Sequence, residues 1–148
     1  MKKAIALLAA VALSGCGLPD IRLKRNAAPS EIVGLWTITA ESLRDIKTDS
    51  DAKSVDGPRD IYQIEFRGDG TLTYRSLLQM PTRHVDAKGR WKLVPLSERK
   101  AGNELSVLLD LDGGSYGFSL DFTEEKGKLL LWTFFGDPDS WRLEMYEK

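Results

Sequence analysis

The chain has 148 residues, with 21 lysines and arginines against 22 aspartates and glutamates, one histidine and one cysteine. That balance gives no support for nucleic-acid binding, which would want a strongly basic face, and a lone cysteine excludes an internal disulfide. His84 and Cys16 cannot assemble the usual imidazole and thiolate set of a zinc centre, and neither an H-E-x-x-H nor a P-loop motif is present.

The chain opens on Met1-Lys2-Lys3, an apolar run from Ala4 to Leu13, and then Ser14-Gly15-Cys16. A positive end, an apolar core and a small-residue exit describe a secretory signal. The run is too short to span a bilayer as a helix, which takes about 20 residues. Gly15 and Gly17 around the cysteine, with Pro19 close behind, argue against a continuing helix. Leu13-Ser14-Gly15-Cys16 resembles the bacterial lipobox, whose cysteine is acylated on sulfur and becomes the first residue after cleavage. The resemblance implies a signal peptide over 1–15, lipid on Cys16 and a membrane contact made through that lipid. Gly17 stands where an aspartate would mark inner-membrane retention, so the same resemblance implies the outer membrane, with the domain in the periplasm. Lys2 and Lys3 leave with the leader, and the mature chain then holds 19 basic and 22 acidic side chains, a formal charge near −3. What remains is long enough for one domain with a modest core.

Residues 16–30 carry two prolines and no sustained period, and they read as the lipidated cysteine and its tether. Arg22, Lys24 and Arg25 are placed either to help weakly at anionic head groups or simply to be solvated. The domain spans 31–148. Trp36, Ile38 and Ala40 alternate as one face of a first strand after Gly34. Residues 41–57 are polar and long, a loop with one helical turn near Glu41 to Ile46 that would form a lid over one end of the fold. Residues 60–67 and 71–78 then form a hairpin about Gly68-Asp69-Gly70. Tyr62, Ile64 and Phe66 share its apolar face with Leu72, Tyr74, Ser76 and Leu78.

A short strand at 89–95 ends at Pro95, which has no N–H to give a ladder. Leu105, Val107, Leu109 and Leu111 alternate up to Gly113-Gly114, and Tyr116, Phe118, Leu120 and Phe122 alternate after it. Strand 129–135 is apolar on both faces, and a last strand runs from Ser140 to the end. Eight strands joined mostly by short turns predict an all-β antiparallel meander, closed or nearly closed so that no edge is left bare. Leu130, Trp132 and Phe134 would lie on its outer face, requiring cover by a loop or the tether, or else a partner surface.

Gly34-Leu35-Trp36 in the first strand, Phe66-Arg67-Gly68-Asp69-Gly70-Thr71 in the hairpin, Gly89-Arg90-Trp91, and the Trp141 to Lys148 ending together resemble small lipocalin-like bacterial proteins. The resemblance implies a compact barrel, with Trp36 packed across its closed base. It also implies binding of small hydrophobic molecules, though the chain is shorter than a true lipocalin and ends about ten residues past Pro138.

No serine spacing supports a triad with His84, which reads as a surface loop residue, so the chain is expected not to be an enzyme and to need no cofactor. Asp110, Asp112 and Asp121, like Asp137 and Asp139, read as solvated carboxylates rather than a calcium site. Two readings remain. In the first, a lipid-anchored carrier or sensor holds a small apolar ligand, with Tyr62, Tyr74, Ser76, Tyr116 and Phe118 as pocket candidates. In the second, a filled core leaves an envelope interaction module, an accessory subunit or hydrolase inhibitor, that meets its protein partner through Leu130, Trp132 and Phe134.

Overall fold

A computed structural model of the protein describes residue 23 and residues 25–48, 55–76, 86–98, 104–134 and 143–148. Cys16, His84, Trp141, Asp137 and Asp139 lie outside the described residues. Eight strands pair in sequence order: β1 (Gly34–Ile38), β2 (Gln63–Phe66), β3 (Thr71–Arg75), β4 (Ala87–Leu93), β5 (Leu105–Leu111), β6 (Gly114–Glu125), β7 (Lys128–Phe134) and β8 (Leu143–Glu147). Every neighbouring pair is antiparallel, and β8 returns to β1 at Thr37↔Glu147 and Ile38↔Tyr146. The molecule is thus the closed all-β meander that the alternation predicts, a barrel of the lipocalin-like kind that the motif resemblance implies, and closure removes its edges.

Register decides which side chains face inward. The row Trp36, Ile64, Tyr74, Ala87 crosses four strands, and Phe66, Leu72, Gly89, Leu109 and Tyr116 form the next. The 67–70, 94–104 and 126–127 connections lie at one end, the base, together with the start of β1 and the end of β8. The β5–β6 turn at Asp112 and Gly113, and α2 (Ala40–Lys47), belong to the far end.

The base is sealed around Trp36, which is 1 % exposed. Its indole N–H donates to the Ile32 carbonyl at 2.7 Å, and the Lys148 ammonium stands 5.3 Å from the ring centroid while donating to the Val33 carbonyl. Burial lowers the pKa of that lysine. The described part of the expected tether is docked here rather than free. Leu23, Ala27 and Ile32 belong to the core, and the Leu23 N–H donates to the Phe122 carbonyl at 2.9 Å. Their apolar side chains find a place because β5 begins only at Leu105, leaving β6 beyond Leu120 without a strand partner on that side among the described residues.

The short helix α1 (Pro29–Ile32) follows, with Glu31 accepting the Ala28 N–H and a two-pronged bond from Arg25. Arg25 and the Ala28 N–H hold the Glu31 carboxyl at about 2, down from 4.5. The folded value lies below the unfolded one, so this stabilisation is complete above pH 4.5 and fades as pH falls towards 2. The effect is small because the pair is partly solvated. Glu31→Gln should remove that part of the acid loss in urea denaturation; unchanged acid sensitivity would contradict it.

Several local expectations change. The first hairpin strand begins at Gln63 rather than at residue 60, because Arg59–Ile61 form a 3-10 turn closed by the Tyr62 N–H on the Arg59 carbonyl. Ala40 does not extend β1, because the Thr39 hydroxyl accepts the Ser42 N–H and starts α2, which is two turns long instead of one. Leu43 and Ile46 of that helix, with Val55 beyond it, are buried in the core, so the described parts of 41–57 do cover an end of the barrel. Ser76 is not a strand residue: β3 stops at Arg75 and Ser76 turns with φ 48°, its N–H donating to Asp86 at 3.0 Å. Asp121 is not solvated; it is 8 % exposed and accepts the Glu104 N–H at 3.3 Å, while Asp110 and Asp112 are exposed.

Candidate functional site

The inward side chains of the far half form a continuous run of aromatic rings. Tyr146 packs edge-on to Tyr74 at 6.1 Å, Tyr74 meets Phe118 at 6.0 Å, and Phe118 stacks on Tyr116 at 5.8 Å. The run begins fully buried at Tyr146 and Tyr74 and becomes half-buried at Phe118 and Tyr116. The two outer rings lie on the stretch of β6, Gly114 to Leu120, that pairs with β5 but has no partner on its β7 side among the described residues, since that ladder begins at Asp121.

At the buried end, the run carries polar chemistry. The Tyr74 and Tyr146 hydroxyls both donate to the Glu144 carboxylate, and the two hydroxyls are within hydrogen-bonding contact of each other. Glu144 is 0 % exposed. Burial, followed by the neighbouring carboxylate, pushes both tyrosine pKa values well above 10.0, so both hydroxyls keep their protons to donate. A carboxylate fixed by two phenols in a dry interior is oriented rather than mobile, as buried polar networks are when their members are satisfied.

Tyr74, Tyr116 and Phe118 of the sequence-predicted set therefore come together. Tyr62 does not join them. It is buried beneath the 55–57 segment, where its hydroxyl accepts the Gly57 N–H at 3.3 Å, and burial raises its pKa. Ser76, at the turn after β3, belongs to the rim of the far end rather than to the aromatic row.

Glu144 and Tyr146 are the residues that sequence reasoning missed. Leu143 and Met145 alternate with them, and hydropathy alone would put that pair inside. Pairing settles the matter: Tyr146 lies opposite Leu131 and Ile38, both wholly buried, so Glu144 and Tyr146 face in while Leu143 and Met145 face out.

On the outer wall, Leu130 and Trp132 are 6 % and 3 % exposed, covered within the chain itself, and Phe134 is half-buried with its ring 5.6 Å from Trp132. The Trp132 indole N–H is buried without a hydrogen-bond partner among the described residues. Beside them runs a groove of about 680 Å³, with Leu130, Leu143 and Met145 as apolar surface and Glu41, Asp45 and Lys128 among its charged residues. The Ser42 hydroxyl ties α2 to this wall by donating to the Leu143 carbonyl and accepting the Met145 N–H. Among the described residues, no group of three or more His, Cys, Asp or Glu side chains could hold a metal ion. No family model matches the chain, and no significant match was found among curated proteins or solved structures.

Proposed function

We propose that the protein is a lipid-anchored envelope barrel that binds a small, largely hydrophobic ligand at its far end, as a carrier or sensor and without catalysis. The observation that carries this reading is the aromatic run, half-open at Tyr116 and Phe118 and ending on two hydroxyls and a carboxylate. Apolar walls with a few convergent polar groups are the usual make-up of a small-molecule site. A ring or chain lying along Phe118 and Tyr116 would gain burial, while the polar end would fix its head. Lipid on Cys16 and the outer-membrane address complete the reading, and both rest on the leader.

The neutral fluorescent probe N-phenyl-1-naphthylamine tests the site. Its emission should rise on mixing with the protein and lose most of that rise in Phe118→Ala, while Met145→Ala on the outer groove leaves it unchanged. Equal probe binding by wild type and Phe118→Ala would contradict the placement.

The groove between α2 and the outer faces of β7 and β8 favours a second reading, an envelope interaction module with a protein partner. In that case contact would centre on Met145, Leu143 and the half-buried Phe134, since Leu130 and Trp132 are already covered. Met145→Ala would then weaken partner capture and Phe118→Ala would not.

A further inference from the structure

We infer that the base of the barrel is the membrane-facing surface and that the aromatic end opens away from the bilayer; this rests on the reading of Cys16 as the lipid anchor. The argument is one of chain length. Leu23 is fixed to the barrel by its N–H bond to the Phe122 carbonyl and by burial of its side chain. Six residues lie between it and Cys16, and the seven residue steps that join the two reach at most about 25 Å even when fully extended. Unconstrained chain of that length has a typical end-to-end distance of only about 15 Å.

The dock lies at the base, as do Arg25, whose guanidinium is 3.7 Å from the Glu124 carboxylate on β6, and Trp36 beneath Lys148. From Phe122 to the opposite tip of β6 at Gly114 is eight residues, roughly 26 Å along an extended strand. Strand tilt in a closed barrel brings that separation to about 20 Å along the axis, still beyond the linker's typical span, so bringing the tip to the bilayer would hold the linker near its full reach alongside the wall, at an entropic cost. Base-down orientations need no such stretch. A linker free as far as Gly34 would reach about 60 Å and impose no orientation, so the docked segment from Leu23 to Ile32 is what sets it.

Two consequences follow for the site. Tyr116 and Phe118 face the aqueous compartment, so a ligand arrives from there rather than by sliding out of the adjacent leaflet. The outer groove along β7 and β8 stands roughly upright on the membrane, open to a partner from the side.

The test uses the full-length lipoprotein in zwitterionic phosphatidylcholine vesicles that carry a head-group nitroxide quencher. Cys16 is blocked by its own lipid, so a single new thiol takes a fluorophore: Gly68→Cys on the base turn, where an added Cβ meets nothing within 4 Å, or Ser115→Cys at the exposed far tip of β6. The Gly68→Cys label should be quenched several-fold more than the Ser115→Cys label, and a twenty-residue Gly-Ser insertion after Gly17 should bring the two together. Equal quenching without the insertion, or stronger quenching at Ser115→Cys, overturns the orientation. The intact mass and a Cys16→Ala control separate the failures. A chain with no lipid mass, or a Cys16→Ala chain that still binds the vesicles in high salt, overturns the anchor and the orientation with it. A lipidated chain with no asymmetry overturns the orientation alone.

Discussion

Trp36→Ala should cost the protein about 3–5 kcal/mol, the usual loss for a large aromatic removed from a well-packed core. The ring is 1 % exposed, and three elements meet on it: the Ile32 carbonyl takes its N–H, Lys148 stands over its face, and its own strand pairs with β2 at Ile64. Alanine would leave a void between α1 and the barrel and strand the Ile32 carbonyl without its donor. Urea denaturation measures the loss directly. A cost below about 1 kcal/mol, the range of an ordinary surface change, would mean that Trp36 does not seal the base. Trp36→Phe keeps much of the volume and loses the N–H, so it should fall between the two.

The second large effect comes from a residue with no side chain. Gly89 sits on the inner row of β4 between Leu72 and Leu109, and a Cβ there would stand 2.2 Å from the Leu108 carbonyl oxygen and 3.0 Å from the Leu109 Cα. Those are backbone atoms of the next strand, so they cannot rotate away. They move only if β4 and β5 part along a ladder of six residue pairs. Overpacking commonly costs 1–3 kcal/mol, and Gly89→Ala should reach about 3 kcal/mol or more because nothing flexible can yield. Gly117→Ala is the control: its nearest contacts would be 3.8 and 3.9 Å away, and the change should stay within about 1 kcal/mol. Equal costs at the two glycines would contradict the close approach of β4 and β5.

These two positions show what was legible in the sequence. Gly-Leu-Trp and Gly-Arg-Trp both stood out as motifs, and period-two alternation placed β1, β2, β3, β5 and β6, because a barrel wall with one apolar face writes its register into every second residue, while the remaining strands were read from apolar runs between turns. The lid-like role of 41–57 was also readable, although Thr39 as a helix cap was not, since Trp36, Ile38 and Ala40 keep the strand period up to the residue where the helix begins. Docking of Leu23 and Ala27 escaped notice because two isolated apolar residues among prolines and arginines carry no period. They are held by a vacancy beside β6 that only the assembled barrel creates.

At the site, the half of the aromatic run that lies on β3 and β6 was legible from alternation, and the half on β8 was not. A strand with leucine and methionine on one face and tyrosine and glutamate on the other is ordinarily read with the aliphatic face inside. Closure overrules that preference, because Ile38 and Leu131 fix the register of β8 from both sides and turn Glu144 inward. The outer aliphatic face is then met by α2 through Ser42, which explains why an apolar wall could be tolerated there. Burial of the Glu144 carboxyl is made bearable by the two tyrosine hydroxyls that donate to it, and an arrangement with that much at stake in so small a core is where a ligand's head group would find fixed partners.

The most direct test of the ligand reading is native mass spectrometry of the protein, produced from the full chain in its own host, purified gently and released from detergent in the instrument. The account predicts the lipidated chain together with one small hydrophobic molecule at close to one per protein, and loss of that molecule in Phe118→Ala with the barrel still folded. A wild-type spectrum showing only the lipidated chain, or a bound molecule that Phe118→Ala retains in full, would contradict it.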